Sequence, residues 1–381
     1  MSDALSSRRQ QELVLSGIGS LDDLDDVIAE ILSWLPVKSL LRFRCVCKAW
    51  HALISESYFV DKHLHRTKIN PLLKRKSHIF RSIEYQALLN CLSNDGPILS
   101  RELDYPLMNL PVSIKPGTFN WVLIGSCNGL ICILIDWFTK LVMLWNLCTR
   151  ISQVLPQPCD LDFDLCCFGF GYDSTTDDYK VILNGILNGG DYSSDQSVVV
   201  FTVKTGSWGK VKSVKNFAVS GRSGYLVNEA LHWVSGKYDE DNNYIYSNIV
   251  SFDLAEEKVH EIALPFPPNP VVGDIWRAEV GTLRNCLALH VITMYDRGSS
   301  CDLKIWVMKE YGVKESWTQV IYIPSENLPE HDYFCMTCIS ESGEVLMGSH
   351  RLGSLIMYNS KKFRILPYVI DGWDRMKKLP M

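Results

Sequence analysis

The chain has 381 residues, 47% of them hydrophobic and 21% charged, with a formal net charge of -5. That length suits two to three ordinary domains, or one small domain and one large closed architecture, and the balance is that of a globular protein. The lack of a basic surplus argues against a nucleic-acid partner, and the first twenty residues hold no apolar segment of the kind that makes a secretory signal.

The most hydrophobic run, Gly129-Leu-Ile-Cys-Ile-Leu-Ile135, stops at Asp136. It falls far short of the roughly 20 residues a spanning helix needs, so no membrane role is expected. Thirteen cysteines, an odd number, occur without any Asn-x-Ser/Thr acceptor. Free thiols in a reducing compartment, cytoplasmic or nuclear, account for them most simply.

The first predicted element is a helix. Leu24, Val27, Ile28, Ile31, Leu32 and Leu35 recur at intervals of three and four, which places them on one helical face. Asp22, Asp23, Asp25 and Asp26 cluster at its start, where carboxylates favour the positive end of the helix dipole. Pro36 cannot continue that helix, so it ends near Leu35, and Pro36 suits the first turn of the next. Leu40, Phe43, Val46, Cys47 and Trp50 repeat at helical spacing again, and Ala52-Leu-Ile54 and Tyr58-Phe-Val60 extend the apolar supply to about His65. Some 45 residues of helix lie near the lower limit for independent stability, which leaves apolar surface for a partner.

After the basic stretch Lys68 to Lys76 the period changes from helical to two, the signal of strands and hairpins. A unit of strand, turn and strand, often ending in Leu-Pro, recurs five times. Its leading aromatics are Trp145, Phe201, Phe252, Trp306 and Tyr358, separated by 56, 51, 54 and 52 residues. A second hairpin precedes each: Cys127-Asn-Gly-Leu130, Thr176-Asp-Asp-Tyr179, Val227-Asn-Glu-Ala230, Leu283-Arg-Asn-Cys286 and Glu341-Ser-Gly-Glu344. Four strands per roughly 50 residues is the size of a kelch-like propeller blade. Residues 78–110 supply apolar pieces for a sixth blade completed by a terminal strand, so a small all-α domain followed by an all-β propeller of five to six blades is expected, with an open stack of sheets or a sandwich pair as its structural competitor.

Candidate chemistry is sparse. Cys335-Met-Thr-Cys338 has the spacing of half a metal or redox site, but no second pair follows and its flanks read as a strand. His63-x-His65 lacks a third ligand and reads as a solvated helix end, while Cys45 and Cys47 on a helix would point apart. Asp173-Ser-Thr-Thr-Asp-Asp178 lacks the central glycine and distal glutamate of a calcium loop and reads as a turn. Trp145, Trp208, Trp233 and Trp306 hold repeat positions and are expected in blade packing. No nucleophile elbow, phosphate loop or His-Glu-x-x-His occurs, and neither cofactor nor metal is expected.

The segment Leu24-Asp-Asp-Val-Ile-Ala-Glu-Ile-Leu-Ser-Trp-Leu-Pro-Val-Lys-Ser-Leu-Leu-Arg-Phe-Arg-Cys-Val-Cys-Lys-Ala-Trp50 closely resembles an F-box. The later units, with Ser126-Cys-Asn-Gly-Leu130, Phe168-Gly-Phe-Gly-Tyr172 and the Leu-Pro endings, resemble the associated interaction domain that follows it in large plant F-box families. The resemblance implies a non-catalytic substrate receptor of an SCF ubiquitin ligase. Its F-box would dock on a Skp adaptor linked to a cullin, and its propeller would select an unidentified protein target. The matching docking positions are Leu35, Pro36, Val37, Leu40, Leu41, Cys45, Val46 and Trp50. The family's opening Leu-Pro is replaced here by Asp23 and Leu24, which removes a proline contact.

The organisation expected is a tail over 1–20, an F-box helical domain over 21–66, a linker over 67–76, a propeller over 77–370 and a tail over 371–381. Two other readings of the propeller stand beside this one. A kelch-like enzyme would need metal-binding or acid-base residues converging on one rim, and a glycan receptor would use exposed aromatics.

Overall fold

The computed structural model describes residues 21–66, 72–76, 79–83, 98–102 and, apart from several loops, 122–369. The chain divides into two compact units, Met1–Asn70 and Pro71–Met381. In the first, four helices are described: α1 (Leu21–Ser33), α2 (Val37–Phe43), α3 (Lys48–Ser55) and α4 (Ser57–Arg66). Their core is Ala29, Leu32, Leu40, Ile54 and Phe59, with Ile28, Leu35, Phe43, Trp50 and Leu53 packed around it.

The joints between these helices differ from the expectation in two ways. Past Ser33 the chain makes one tight turn, in which Trp34 N–H donates to the Ile31 carbonyl and Leu35 N–H to that of Leu32. Pro36 then stands one position ahead of α2 as its N-cap, with φ -58° and ψ 144°, rather than inside its first turn. An N-cap needs a free carbonyl but no N–H, and the Pro36 carbonyl accepts from Ser39 and Leu40 at 2.8 and 3.2 Å. Further on, the single helix expected through Trp50 is broken after Phe43. Cys47 is extended at φ -155°, and its Sγ accepts from Trp50 N–H to start α3. Spacing of three and four cannot tell one helix from two with a capped break between them.

The second unit consists of four-stranded blades of a propeller, antiparallel within each hairpin, and two neighbouring blades merge into one eight-stranded sheet where Ser223 pairs with Phe168 in parallel. Blade 2 is β4 (Val122–Cys127), β5 (Leu130–Asp136), β6 (Leu141–Asn146) and β7 (Ser152–Val154). Blade 3 is β8 (Phe163–Asp173), β9 (Asp178–Leu187), β10 (Gln196–Thr202) and β11 (Ser207–Val214). Blade 4 is β12 (Val219–Val227), β13 (Ala230–Tyr238), β14 (Tyr244–Asp253) and β15 (Val259–Ala263). Blade 5 is β16 (Asp274–Leu283), β17 (Cys286–Tyr295), β18 (Ser300–Met308) and β19 (Trp317–Ile323). Blade 6 is β20 (Phe334–Ile339), β21 (Val345–Ser349), β22 (Leu355–Asn359) and β23 (Lys362–Leu366).

Blade 1 closes the fold from both ends of the unit. Its strands β1 (Leu72–Lys76), β2 (Ile79–Ile83) and β3 (Ile98–Glu102) pair in order, and β24 (Tyr368–Val369) adds to β3 in parallel, Tyr368 opposite Ile98. Six blades are formed by the described residues, the upper end of the range expected. Strand β1 falls inside the basic stretch expected as a linker. Leu72-Leu-Lys-Arg-Lys76 shows no alternation, yet backbone pairing with β2 holds it in the sheet. The tails over 1–20 and 371–381 and the Glu341–Glu344 hairpin lie outside the described residues.

The repeat seen in the sequence has a fixed structural meaning. All five aromatics lie on the third strand of their blade, opposite Ile131, Val181, Leu231, Leu289 and Val345 of the second. The first strands of successive blades touch: β4 with β8, β8 with β12, β12 with β16, β16 with β20. Between blades 3 and 4 that approach is close enough to require glycine, since a methyl on Gly169 would lie 2.6 Å from the Leu231 side chain. The hairpin turns pass through positive φ, at Asn128 and Gly129 between β4 and β5, types that accept it readily, and at Asn228 and Glu229 between β12 and β13. On the outer hairpins Asn146 and Asp253 play one role, each accepting from two backbone N–H groups of the following turn at 2.8 to 3.0 Å.

Candidate protein-docking surfaces

The eight positions matched to the F-box docking motif separate by depth. Leu40 is only 4% exposed and belongs to the helical core. Leu35, Val37, Leu41 and Trp50 are half-buried, and Trp50 meets Phe43 edge-on with ring centroids 5.4 Å apart. Pro36, Cys45 and Val46 are exposed, Val46 by 61%. Pro36, Val37, Leu41, Cys45 and Val46 therefore offer surface along the α1–α2 joint and the turn before α3, while Leu40 supports it from below. Lys38, Arg42 and Lys48 are exposed on the same elements, and Arg44 reaches His51 Nε2 at 3.4 Å.

A second apolar surface was not singled out by the motif. Val27, Ile31 and Trp34 recur at four and three along the end of α1 and are 53%, 58% and 67% exposed, and Tyr58 on α4 is 70% exposed. Ionic contacts join the two helices beneath them. The Trp34 indole N–H donates to Glu30 Oε1 at 3.4 Å, Lys62 pairs with Glu30 at 2.8 Å, and the Lys62 ammonium lies 5.9 Å from the Tyr58 ring centroid. The signal was present in the sequence. Six apolar positions on α1 cover more than one packing face, and Ile28, Leu32 and Leu35 take the core side.

The remaining candidates resolve into structure. His63 is buried rather than solvated, with Nδ1 2.9 Å from the Ser33 carbonyl and its ring stacked on Phe59. A helix leaves its last carbonyls unpaired, and His63 serves the end of α1, a partner 30 residues away that spacing could not show. The side chain of His65 lies outside the described residues. Cys45 and Cys47 occupy a turn and a cap, so the helical geometry expected for them does not apply. Cys335 and Cys338 lie on strand β20.

Asp173 to Asp178 form a turn whose carboxylates are taken by donors. Asp173 accepts from Thr175 N–H, Thr176 N–H and the Thr176 hydroxyl, and it pairs with Lys180 at 3.2 Å. Desolvation pushes its pKa up, but these donors outweigh it and hold the carboxyl below the ordinary range. Asp178 accepts from the backbone N–H of Lys204 and of Tyr179. The Lys180 ammonium also reaches Glu257 and the Leu254 carbonyl, tying blade 3 to blade 4. Trp145 and Trp233 are buried in the blades; Trp306 packs at the margin of a core cluster, and Trp208 donates to the Pro156 carbonyl at 2.7 Å.

A small helical unit with exposed apolar surface, followed by a closed repeat scaffold, is the architecture of a two-part binding protein. The chain belongs to the F-box proteins that carry an F-box associated β-propeller domain: the F-box domain matches residues 22–62 and the F-box associated beta propeller domain residues 105–379. Strands β1 to β3 precede the second match and join the propeller through their pairing. The Arabidopsis thaliana F-box/kelch-repeat protein At3g23880 is 30% identical over 354 residues, which cover 89% of this chain and 88% of that protein. F-box protein At3g07870 of the same plant is 28% identical over 93% of this chain and 90% of its own length. F-box protein CPR1, also from Arabidopsis thaliana, is 29% identical over 78% of this chain and 72% of its own.

Proposed function

We propose that the chain is the substrate receptor of an SCF-type ubiquitin ligase, acting in the cytoplasm or nucleus. The helical unit docks on a Skp adaptor and through it reaches the cullin, and the propeller selects the protein to be ubiquitinated. One observation carries this reading: within the F-box match, Pro36, Cys45 and Val46 are exposed over an independent core, so the module presents a surface and keeps its fold. Catalysis is left to a transferring enzyme bound elsewhere in the complex, with this chain supplying proximity.

The test separates surface from support. Val46→Asp changes an exposed residue, so the helices stay folded and co-purification with a Skp adaptor is lost. Unchanged co-purification of Val46→Asp and of Pro36→Ala together would reject this docking face. Leu40 is unsuited to the purpose, because a charge there disrupts the core itself.

A further inference from the structure

The described cysteines are free thiols, and depth divides them. Cys127, Cys132 and Cys167 are buried in the blades, and burial pushes each thiol up, Cys127 to about 11, so they stay protonated and inert near pH 7. Cys45, Cys47 and Cys148 are exposed. Two of these three flank Val46 within the F-box match, in a stretch exposed without interruption from Cys45 to Ala49.

The break between α2 and α3 presents both sulfurs. Cys47 is extended, and its Sγ accepts from Trp50 N–H at 3.4 Å. Cys45 lies in the turn, its Sγ 3.9 Å from the Leu41 carbonyl. Sulfur is a weak donor and a weak acceptor, so neither contact ties up a thiol.

The surroundings of the pair are positive. From Ile31 to Ser55 the chain has no Asp or Glu, whereas Lys38, Arg42, Arg44 and Lys48 fall in its middle. Lys38, Arg42 and Lys48 are exposed, and Arg44 reaches a histidine, His51, rather than an acid. Around Cys148 the setting differs, since Arg150 is the only charged residue from Leu141 to Cys159. Exposure in an electropositive setting separates reactive cysteines from structural ones. Such a setting concentrates anionic reagents, and the disulfide of a cytosolic glutathione pool is an anion, with more carboxylates than ammonium groups.

Resting on the reading of the helical unit as an adaptor-docking module, we propose that Cys45 and Cys47 form a site of reversible glutathione attachment that closes the docking surface. The thiolate of either residue attacks one sulfur of glutathione disulfide. A new S–S bond joins protein and glutathione, the old S–S bond breaks, and the departing glutathione thiolate takes up the proton the cysteine gave up. The protein sulfur is oxidised and one half of the reagent is reduced; free glutathione reverses the exchange. A charged tripeptide beside Val46 covers apolar surface, so attachment opposes docking, and a docked adaptor shields the two thiols.

The experiment treats the full chain with glutathione disulfide, removes the reagent, maps the adducts by mass spectrometry and then offers the Skp adaptor. Adducts are expected on Cys45 or Cys47 ahead of Cys148, retained adaptor should fall roughly tenfold or more, and dithiothreitol should restore it. Lys48→Glu should slow attachment of glutathione and leave attachment from an uncharged disulfide, such as hydroxyethyl disulfide, unchanged. Adducts spread evenly over the three exposed cysteines, an unchanged glutathione rate in Lys48→Glu, or adaptor retention that survives attachment would each overturn the proposal. If the reduced chain retains no adaptor, the ligase reading falls, while the adduct map and the Lys48→Glu rate still decide whether the thiols are a glutathione site.

Discussion

Residues 21–66 bury five apolar side chains as a core and leave Val27, Ile31, Trp34, Val46, Tyr58 and Val60 exposed, six of the twelve large hydrophobics exposed among the described residues. The propeller, several times longer, exposes the other six and buries its aromatics between blades. The two units differ in charge as well, neutral in Met1–Asn70 and -5 in the remainder. A unit with more apolar surface than core is built to be completed by a partner, while a closed scaffold can vary its surface because its stability lies elsewhere.

The sharpest break in that comparison is Leu40→Asp. A carboxylate in a five-residue core has no compensating partner, and the cost of several kcal/mol exceeds what so small a unit can absorb. Limited proteolysis is expected to cut within 21–66 while the propeller keeps its thermal transition. Trp233→Ala is the mirror image. Its indole lies against Gly224 and Gly169 where the first strands of blades 3 and 4 approach, so truncation costs about 3–5 kcal/mol. The propeller transition should fall while adaptor co-purification is kept; loss of both would mean that the helical unit depends on the propeller.

How far these features could be read beforehand depended on the range of the contact. The third-strand aromatics were legible because a blade is a local repeat, and turns such as Asn128-Gly129 announced themselves by residue type. The F-box segment was legible as a linear motif. Blade 1 was only half legible, because Tyr368 pairs with Ile98 across the length of the unit. The role of His63 on Ser33, the depth of Leu40 and the exposure of Ile31 were hidden for the same reason: periodicity gives a face, and only packing decides what covers it.

Acid should separate the units by a smaller effect. His232 is pushed down to about 4 and His290 to about 3, both by burial. Below the ordinary imidazole value of about 6.5 the unfolded chain therefore binds more protons, and propeller stability falls as pH falls. At pH 5 the loss is on the order of 2 kcal/mol per histidine. His290 is the informative one, since neither ring nitrogen has a partner among the described residues. Its register position, opposite Ile305, is held by Ile182 in blade 3, Cys132 in blade 2 and Leu346 in blade 6. His290→Leu should raise stability by about 1–3 kcal/mol at pH 7 and flatten the acid limb in pH-dependent denaturation. A destabilised variant would show that the ring is needed for packing despite its idle nitrogens.

The smallest effect is expected at the break between α2 and α3. Cys47 caps α3 through a sulfur, a weak acceptor, 3.4 Å from Trp50 N–H, and the side chain is exposed. Serine offers a better acceptor at the same position, so Cys47→Ser should stabilise the start of α3 by about 0.5–1 kcal/mol. Amide exchange across 48–55 would slow accordingly, with the propeller amides unchanged. Unchanged exchange in α3 would assign its start to the packing of Trp50 on Phe43 instead of the cap. In that case packing onto the small apolar core holds α3 in place, and partner binding rather than local capping would be the means of stabilising the unit.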